Sequence, residues 1–314
     1  MLKTAFLYDP VFLKHQTGWA HPEKRQRLTV ILAHLNKTGL WDQCVHLAPQ
    51  PAPIEAIRAI HSTHYIDEIR HASETGELFK PDDSTVGSPG TYNAAVMAVG
   101  AVLTALDAVM QQQVQNAFCA VRPPGHHALP DRAMGFCFFN NVAIGAKYLQ
   151  HRHGLKRIAI IDWDIHHGNG TQNAFYDDPS IFYFSLHQEH LYPYSGLANE
   201  RGAGPGAGFT LNVPMPSGAS DSDYQQAFSR ELIPAMAQFK PEFILISAGF
   251  DGHRDDPLST TVLTEQGFGE LTRMVMNLAG KYCGGRLVSV LEGGYSITGL
   301  VTSIDAHLRA LISR

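Results

Sequence analysis

Short β-branched or aromatic runs alternate with long helical patterns along this 314-residue chain, and this alternation restricts its fold more than any other feature. Strands separated by helices of this length need crossover connections, which give a mostly parallel sheet buried on both faces. The sequence therefore predicts an α/β fold of the three-layer αβα type. The predicted strands occupy 4–9, 117–121, 157–162, 181–186, 209–213, 243–248 and 287–293.

The clearest helical patterns occupy 91–113, 140–154, 221–239 and 264–282. Asp221 and Thr264 are the predicted N-caps of the last two helices, because their side-chain oxygens can accept a hydrogen bond from a free N–H group in the first turn. No repeat, low-complexity linker or run of like charge interrupts the pattern. We therefore expect a single domain spanning 1–314.

Composition and charge limit the classes of function that this chain can have. The formal net charge is -5, and Lys and Arg are scattered, which argues against binding to nucleic acid or to an anionic membrane. The N-terminus lacks the features of a signal peptide, and we find no uninterrupted apolar run of ~18 residues, so a cytoplasmic location is expected. Four widely spaced cysteines form no CxxC motif, so any metal site would use His and carboxylate ligands.

Polar side chains follow four of the predicted strands at the points where these strands end. Ligands of open parallel sheets bind beyond the carboxyl ends of the strands, so we expect these side chains to form one site. The residues concerned are His126 and His127 after the second strand, Asp162, Asp164 and His166 after the third, Asp251 after the sixth and Tyr295 after the seventh.

The segment "DWDIHHGN" contains Asp162, Asp164 and His166 at intervals of two residues. In an extended backbone this spacing places all three side chains on one side. An Asp-x-His pair supplies two ligands of a catalytic metal site, which typically has three protein ligands and one open position. Asp251 is the best candidate for the third ligand. A set of one imidazole and two carboxylates suits Zn²⁺, but also Fe²⁺ or Mn²⁺, so the identity of the metal stays open.

Six motifs together resemble the histone deacetylase family, specifically its class II and bacterial class II-like branch on the arginase/deacetylase fold. The motifs are "RPPGHHA", "GFCFFNNVAIGA", "DWDIHHGNGTQ", "SLHQ", "SAGFDGHRDDP" and "LEGGYS". The resemblance runs from His21 to Leu300. It implies a Zn²⁺ enzyme whose ligands are Asp164, His166 and Asp251, the same three residues that the strand-end argument selects.

The resemblance also implies a mechanism, the hydrolysis of an amide by metal-activated water. His127 matches the general base and acid, and His126 matches its neighbour, which hydrogen-bonds water and is oriented by Asp162. Asn169 matches the partner of His127 and is neutral, whereas class I enzymes carry an aspartate there. Tyr295 matches the hydrogen-bond donor to the oxyanion, and its presence predicts a competent deacetylase.

The same resemblance predicts a narrow channel for an acylated lysine side chain. Phe136 and Tyr192 match its paired aromatic walls, with Gly135 beneath them, although the family usually has phenylalanine in place of Tyr192. Ser84 matches a serine at the rim that accepts an amide N–H of the substrate. Leu258 lies at the gate, where a polyamine-selective relative has glutamate.

Further positions follow from the resemblance alone. Asp162 and Ser185 match side chains of a structural K⁺ site. Arg27 matches an arginine that lines an internal cavity for the released acetate, and an arginine on a helix surface is the competing interpretation. Cys137 beside the channel is expected to be a small buried side chain rather than a redox-sensitive thiol.

The sequence leaves other functions open. Acetylpolyamines or other small acetylated amines are the alternative to acylated lysine in a peptide or protein, because acidic residues such as Asp82 and Asp83 lie near the expected rim. A non-catalytic module that binds acyl-lysine is disfavoured, since ligands, histidines and tyrosine are all retained. A dimanganese site of the arginase type is disfavoured because "DWDIHHGN" ends in asparagine. The oligomeric state is open, so a homo-oligomer is compatible with the sequence.

Overall fold

A computed structural model describes residues 3–313, and an eight-stranded sheet forms its centre. The strands are β1 Thr4–Leu7, β2 Val45–Leu47, β3 Asn116–Cys119, β4 Ile158–Asp162, β5 Ile181–Gln188, β6 Thr210–Met215, β7 Phe243–Ala248 and β8 Leu287–Leu291. Their order in the sheet is β2-β1-β3-β8-β7-β4-β5-β6, and every strand pair within residues 3–313 is parallel.

Helices connect the strands and flank the sheet, which confirms the predicted α/β fold class. Short 3₁₀ turns lie at Pro10–Lys14, Trp41–Gln43 and Gly204–Gly206, and a π-helical turn lies at Phe228–Leu232. The helices are α1 Gln26–Thr38, α2 Ile54–Arg58, α3 Thr63–Glu74, α4 Thr91–Met110, α5 Asn141–His153, α6 Asn169–Phe175, α7 Asp221–Ala227, α8 Ile233–Phe239, α9 Glu265–Tyr282 and α10 Ile297–Ile312.

The N-cap predictions have different outcomes. Thr264 caps α9, because its hydroxyl accepts a hydrogen bond from the Gly267 N–H. The prediction for Asp221 is wrong: Ser220 caps α7 in a reciprocal capping box with Asp223. Asp221 instead accepts hydrogen bonds from the backbone and the hydroxyl of Thr264, so tertiary contact with the start of α9 determines its role.

The core lies on both faces of the sheet, as near-continuous apolar strands require. All five residues of β4 and all six of β7 are buried. Helix α4 is long and apolar enough to cross a membrane by composition, but 72% of its most apolar stretch is buried within the protein, as in the core helix of a globular domain.

The strand order determines where in the sheet the expected site lies. Strands β3, β8, β7 and β4 are four successive neighbours in the sheet, and they are the strands after which the predicted polar residues follow. All four point the same way, so their carboxyl ends meet along one edge. The site can therefore form from four segments that are distant in sequence.

Candidate active site

Asp164, His166 and Asp251 converge beyond the ends of β4 and β7. One potential ligand atom from each of the three lies within 4.8 Å of the others, and all three residues are buried. The Nδ1 atom of His166 is 3.1 Å from Asp164 Oδ1 and 3.1 Å from Asp251 Oδ2. The structure therefore brings together the three metal ligands that the sequence predicts.

Backbone groups hold the two carboxylates in place. The Gly293 N–H donates to Asp164 Oδ2 at 2.8 Å, and the Ile165 N–H donates to Asp251 Oδ1 at 3.0 Å. A Cβ atom at Gly293 would overlap both carboxylates. Glycine is thus required at this position, because the backbone can approach the ligands only without a side chain.

The charges of this cluster fit a divalent cation. Burial, together with the nearby Asp164 carboxylate, raises the pKa of Asp251 to about 7. Burial also opposes a charge on His166, but its hydrogen bonds to the two carboxylates outweigh this effect and raise its pKa to about 10. Two buried carboxylates facing one point need a positive charge between them, and the set of one nitrogen and two oxygen donors suits Zn²⁺ or Fe²⁺.

Asp162 does not join this cluster, contrary to the expectation that an extended backbone places it beside Asp164 and His166. Strand β4 ends at Asp162, and the chain bends over the following residues. Asp162 Oδ2 instead lies 3.1 Å from Nδ1 of His126, and Asp162 Oδ1 accepts a hydrogen bond from the Asp164 N–H. The contact between Asp162 and His126 is the one that the resemblance to the family implied.

The tandem histidines have unequal surroundings. Burial disfavours the charged form of His126, but Asp162 and Asp164 outweigh it and raise the pKa of His126 to about 10. Burial and the neighbouring His126 and His166 hold the pKa of His127 well below its ordinary value. His127 Nδ1 lies 2.8 Å from Asn169 Oδ1, so the neutral ring donates from Nδ1 and keeps Nε2 free to accept a proton.

Aromatic side chains surround the approach to His127. The Tyr192 ring stands edge-on to the His127 ring at 5.2 Å between centroids, and the Phe136 ring is edge-on to Tyr295 at 5.7 Å. Gly135 has a φ angle of +57°, and a Cβ atom there would overlap the His127 ring and lie 3.0 Å from Tyr192. Gly135 therefore lies between the aromatic wall and the imidazole, where any added side chain displaces the His127 ring.

Tyr295 follows β8 and is fixed through its backbone. Asp256 Oδ2 accepts hydrogen bonds from the N–H groups of Tyr295 and Ser296 at 2.6 and 2.9 Å. The Arg27 guanidinium lies 5.1 Å from the centre of the Tyr295 ring. Burial, with a further contribution from Asp251, raises the pKa of Tyr295 well above its ordinary value, so the phenol stays protonated and can donate a hydrogen bond.

The histone deacetylase domain model matches residues 21–311 of this chain. The chain belongs to the histone deacetylase family. It is a hydrolase that acts on amides, as the names of its relatives state. A probable deacetylase of Archaeoglobus fulgidus is 40% identical over 298 residues, which are 94% of this chain and 82% of that protein.

Other members of the family are similarly close. The histone deacetylase-like amidohydrolase of Pseudomonas aeruginosa is 38% identical over 316 residues, covering 94% of this chain and 82% of that protein. The human polyamine deacetylase HDAC10 is 39% identical over 324 residues, covering 98% of this chain and 48% of that protein. The solved structure of the HDA15 HD domain superimposes with a TM-score of 0.95 at 34% identity, over 100% of this chain and 89% of that one.

Ser84 and Leu258 are the two predicted substrate contacts at the rim and the gate of the channel. The Ser84 hydroxyl donates to Asp82 Oδ1 at 3.0 Å, and the Ser84 carbonyl accepts from His21 Nε2 at 2.9 Å. His21 in turn packs edge-on against Phe136 at 4.7 Å. Leu258 is half-buried, and its N–H donates to Asp256. Contact of Ser84 and Leu258 with a substrate stays a prediction.

Arg27 is buried, so the interpretation as a surface arginine is wrong. Its guanidinium donates to the carbonyl oxygens of Gly294 at 2.7 Å and Glu292 at 2.5 Å, and to the Glu23 carboxylate. Ser185 pairs with Asp162 in the sheet, and its hydroxyl lies 2.8 Å from His187 Nδ1. The roles of Arg27 in product release and of Ser185 in K⁺ binding stay predictions.

Cys137 is buried, as expected, and burial raises the pKa of its thiol well above the ordinary value. The sequence indicated no role for Glu292, although its carboxylate accepts hydrogen bonds from the N–H groups of Gly125 and His126. An acidic residue at the end of an otherwise apolar strand was the signal that could have identified it. Asp256, which holds the Tyr295 backbone, was also missed, because it lies in an irregular loop eight residues after the end of β7 and no strand end marks its position.

Proposed function

We propose that this chain is a Zn²⁺-dependent deacylase that removes acetyl or other acyl groups from lysine side chains. The observation that carries the proposal is that Asp164, His166 and Asp251 converge within 4.8 Å of one another, with the His127 ring 6.0 Å from the His166 ring. Tyr295, whose pKa is raised by burial and by the nearby Asp251, follows the neighbouring strand β8. A metal ligand set, a base and an oxyanion donor around one point are the parts that metal-assisted amide hydrolysis requires.

Each residue then has a definite task. The metal, when bound, polarises the acyl carbonyl and lowers the pKa of water. His127 takes a proton from the attacking water at Nε2 and delivers it to the departing amine. Asn169 keeps Nδ1 of His127 protonated, and the charged His126 stabilises negative charge nearby. Tyr295 donates a hydrogen bond to the oxygen on which charge develops.

The walls of the approach favour an acylated lysine as the substrate. An acyl-lysine side chain is a thin apolar rod that ends in one neutral amide, and a channel between two aromatic rings suits such a rod. Phe136 and Tyr192 would flank its methylene groups, and Gly135 leaves room for it beside His127. Leu258 at the gate adds apolar surface and no charge that would select an ammonium group.

Deacetylation of a polyamine is the second candidate, because the human polyamine deacetylase HDAC10 is 39% identical to this chain. A cationic polyamine would need a carboxylate near its second ammonium group. Asp82 is the candidate near the approach, but it already accepts three hydrogen bonds from Ser84 and Thr85. All three bonds fall on Oδ1, so it is the uncharged Leu258 at the gate, rather than Asp82, that favours acyl-lysine over polyamine.

We also propose a bound K⁺ ion, a single-domain organisation and a cellular location for this enzyme. We place a structural K⁺ near Asp162 and Ser185, because these two buried polar residues are register partners across β4 and β5. We further propose that residues 1–314 act as a single domain in the cytoplasm. Measuring activity in K⁺ and in Li⁺ buffers would test the first point.

Turnover of matched substrates tests the central proposal. The Zn²⁺-loaded protein is assayed with an acetyl-lysine peptide, a trifluoroacetyl-lysine peptide and acetylputrescine. We expect kcat/KM for acetyl-lysine to exceed that for acetylputrescine by at least about tenfold, and a hydroxamate to inhibit both. A preference for acetylputrescine would support the polyamine candidate. Binding of the peptides without any turnover would support a non-catalytic module.

A further inference from the structure

Glu292 is a buried carboxylate directly after β8, and it belongs to neither the predicted metal ligands nor the predicted proton-transfer groups. Its Oε2 atom accepts hydrogen bonds from the N–H of Gly125 at 2.7 Å and the N–H of His126 at 3.2 Å. Its Oε1 atom accepts one from the Ser247 hydroxyl at 3.2 Å. The side chain thus connects the end of β8 to the turn that carries the tandem histidines.

The backbone around Glu292 is itself held from several sides. Its N–H donates to the Ala248 carbonyl at 3.0 Å, and its carbonyl accepts from Arg27. The next residue, Gly293, donates to Asp164 at 2.8 Å. The Glu292 side chain therefore starts from a fixed point beside the metal carboxylates, and a change in its length changes how far it reaches.

We propose that Glu292 is a positioning residue that sets the place of His127 relative to the metal ligands, through the N–H groups of Gly125 and His126. Asn169 fixes the orientation of the His127 ring, and Glu292 fixes the backbone from which this ring extends. Both N–H groups are buried, so loss of their acceptor is costly and the turn shifts to find another. A shift of about 1 Å in a catalytic group lowers turnover by about 10²-fold.

Position and charge can be separated with two conservative variants. Glu292→Gln keeps the length of the side chain and an oxygen acceptor for both N–H groups, but it removes the charge. Glu292→Asp keeps the charge but is one methylene shorter, so the carboxylate withdraws from the same N–H groups. Glu270→Asp, on the exposed face of α9, is the control for shortening a glutamate.

The first measurement is independent of activity. Hydrogen–deuterium exchange is followed by mass spectrometry in peptides covering 122–128. We expect Glu292→Asp to speed deuterium uptake there by about tenfold or more, since one lost hydrogen bond of ~1.4 kcal/mol changes protection tenfold. Glu292→Gln and Glu270→Asp should keep the wild-type uptake.

The second measurement is kcat per bound metal, with KM determined separately. We expect Glu292→Asp to lower kcat by about 10²-fold with KM and metal content close to wild type, and Glu292→Gln to stay within about fivefold of wild type. The inference is overturned if Glu292→Asp keeps the wild-type uptake or the wild-type kcat. It is also overturned if Glu292→Gln loses as much as Glu292→Asp, because charge would then be what matters.

The link to catalysis rests on the proposed function, but the two can fail separately. A wild-type protein that hydrolyses neither acetyl-lysine nor acetylputrescine contradicts the proposed function. In that case the exchange rates at 122–128 still decide whether Glu292 holds the turn. If the wild-type protein hydrolyses one of these substrates but Glu292→Asp exchanges at the wild-type rate at 122–128, only the inference on Glu292 is contradicted.

Discussion

His166 Nδ1 and Asp251 Oδ2 lie 3.1 Å apart, although 85 residues separate them in the chain. The contact exists because β4 and β7 are neighbours in register, with Asp162 opposite Ser247, so the segments that follow them leave the sheet side by side. A parallel sheet thereby brings an imidazole and a carboxylate from two crossovers to one point. The proposed metal site depends on this pairing.

Replacing Asp251 by asparagine should abolish metal binding. The amide oxygen can still accept the Ile165 N–H, so the fold is expected to persist, but one of the two charges that attract the cation is lost. We expect under ~0.1 Zn²⁺ per chain by elemental analysis and a loss of kcat of at least about 10³-fold. Asp255→Asn, an exposed carboxylate four residues away, is the control. A full complement of metal in Asp251→Asn would contradict the assigned ligand set.

Replacing Gly135 by alanine should impair catalysis more than stability. The φ angle of +57° strains any side chain by about 1 kcal/mol, and the added Cβ would also push against the His127 ring. Gly154→Ala is the matched control, since Gly154 has a φ of +70° with no atom near an added Cβ. We expect similar thermal unfolding midpoints for the two variants, but a kcat about 10²-fold lower in Gly135→Ala. Equal kcat values would show that Gly135 does not position His127.

Acid should destabilise the protein through histidines that are buried in the neutral form. Burial lowers the pKa of His61 from its ordinary value of 6.5 to about 4, although hydrogen bonds to backbone groups oppose this. Between pH 6.5 and 4 the unfolded chain binds a proton at this residue and the folded protein does not. Stability is therefore full above pH 6.5 and falls as the pH drops toward 4, by about 3 kcal/mol for this residue.

The contribution of His61 is measured by urea unfolding at pH 7 and pH 4.5. His61→Gln keeps a donor for the Leu129 carbonyl and an acceptor for the Asn140 N–H, but it cannot bind a proton. Between pH 7 and pH 4.5, we expect the free energy of unfolding of His61→Gln to fall by roughly 2–3 kcal/mol less than that of the wild type. His64→Gln, exposed on the first turn of α3, should behave like wild type. An unchanged pH dependence in His61→Gln would contradict this account.

The sequence predicted the central strands well because their burial requires continuous apolar runs. Strand β7 begins and ends where the pattern indicated, at 243 and 248. Strand β2 was missed because it is a three-residue edge strand, too short to give a pattern. The π-helical turn between α7 and α8 was also missed, since nothing in its local sequence distinguishes it from an α-helix.

The candidate site was predictable in part for a similar reason. In a parallel sheet the end of a strand fixes where a residue lies, so His126, Asp164 and Asp251 could be placed near one another from the sequence. Contacts that depend on a particular side-chain rotamer could not be predicted from the sequence. Asp162 turns to His126 instead of the metal ligands, and Glu292 reaches the backbone of the turn after β3, because hydrogen-bond partners determine those directions.

The most direct test of the proposed deacylase is the turnover of an acetyl-lysine peptide by the Zn²⁺-loaded wild type and Tyr295→Phe, with Tyr282→Phe on α9 as the control. Loss of one oxyanion donor costs about 10²–10³ in kcat. We predict that drop in Tyr295→Phe, with KM and metal content unchanged, and wild-type kinetics in the control. Equal kcat values in wild type and Tyr295→Phe would contradict the proposed mechanism.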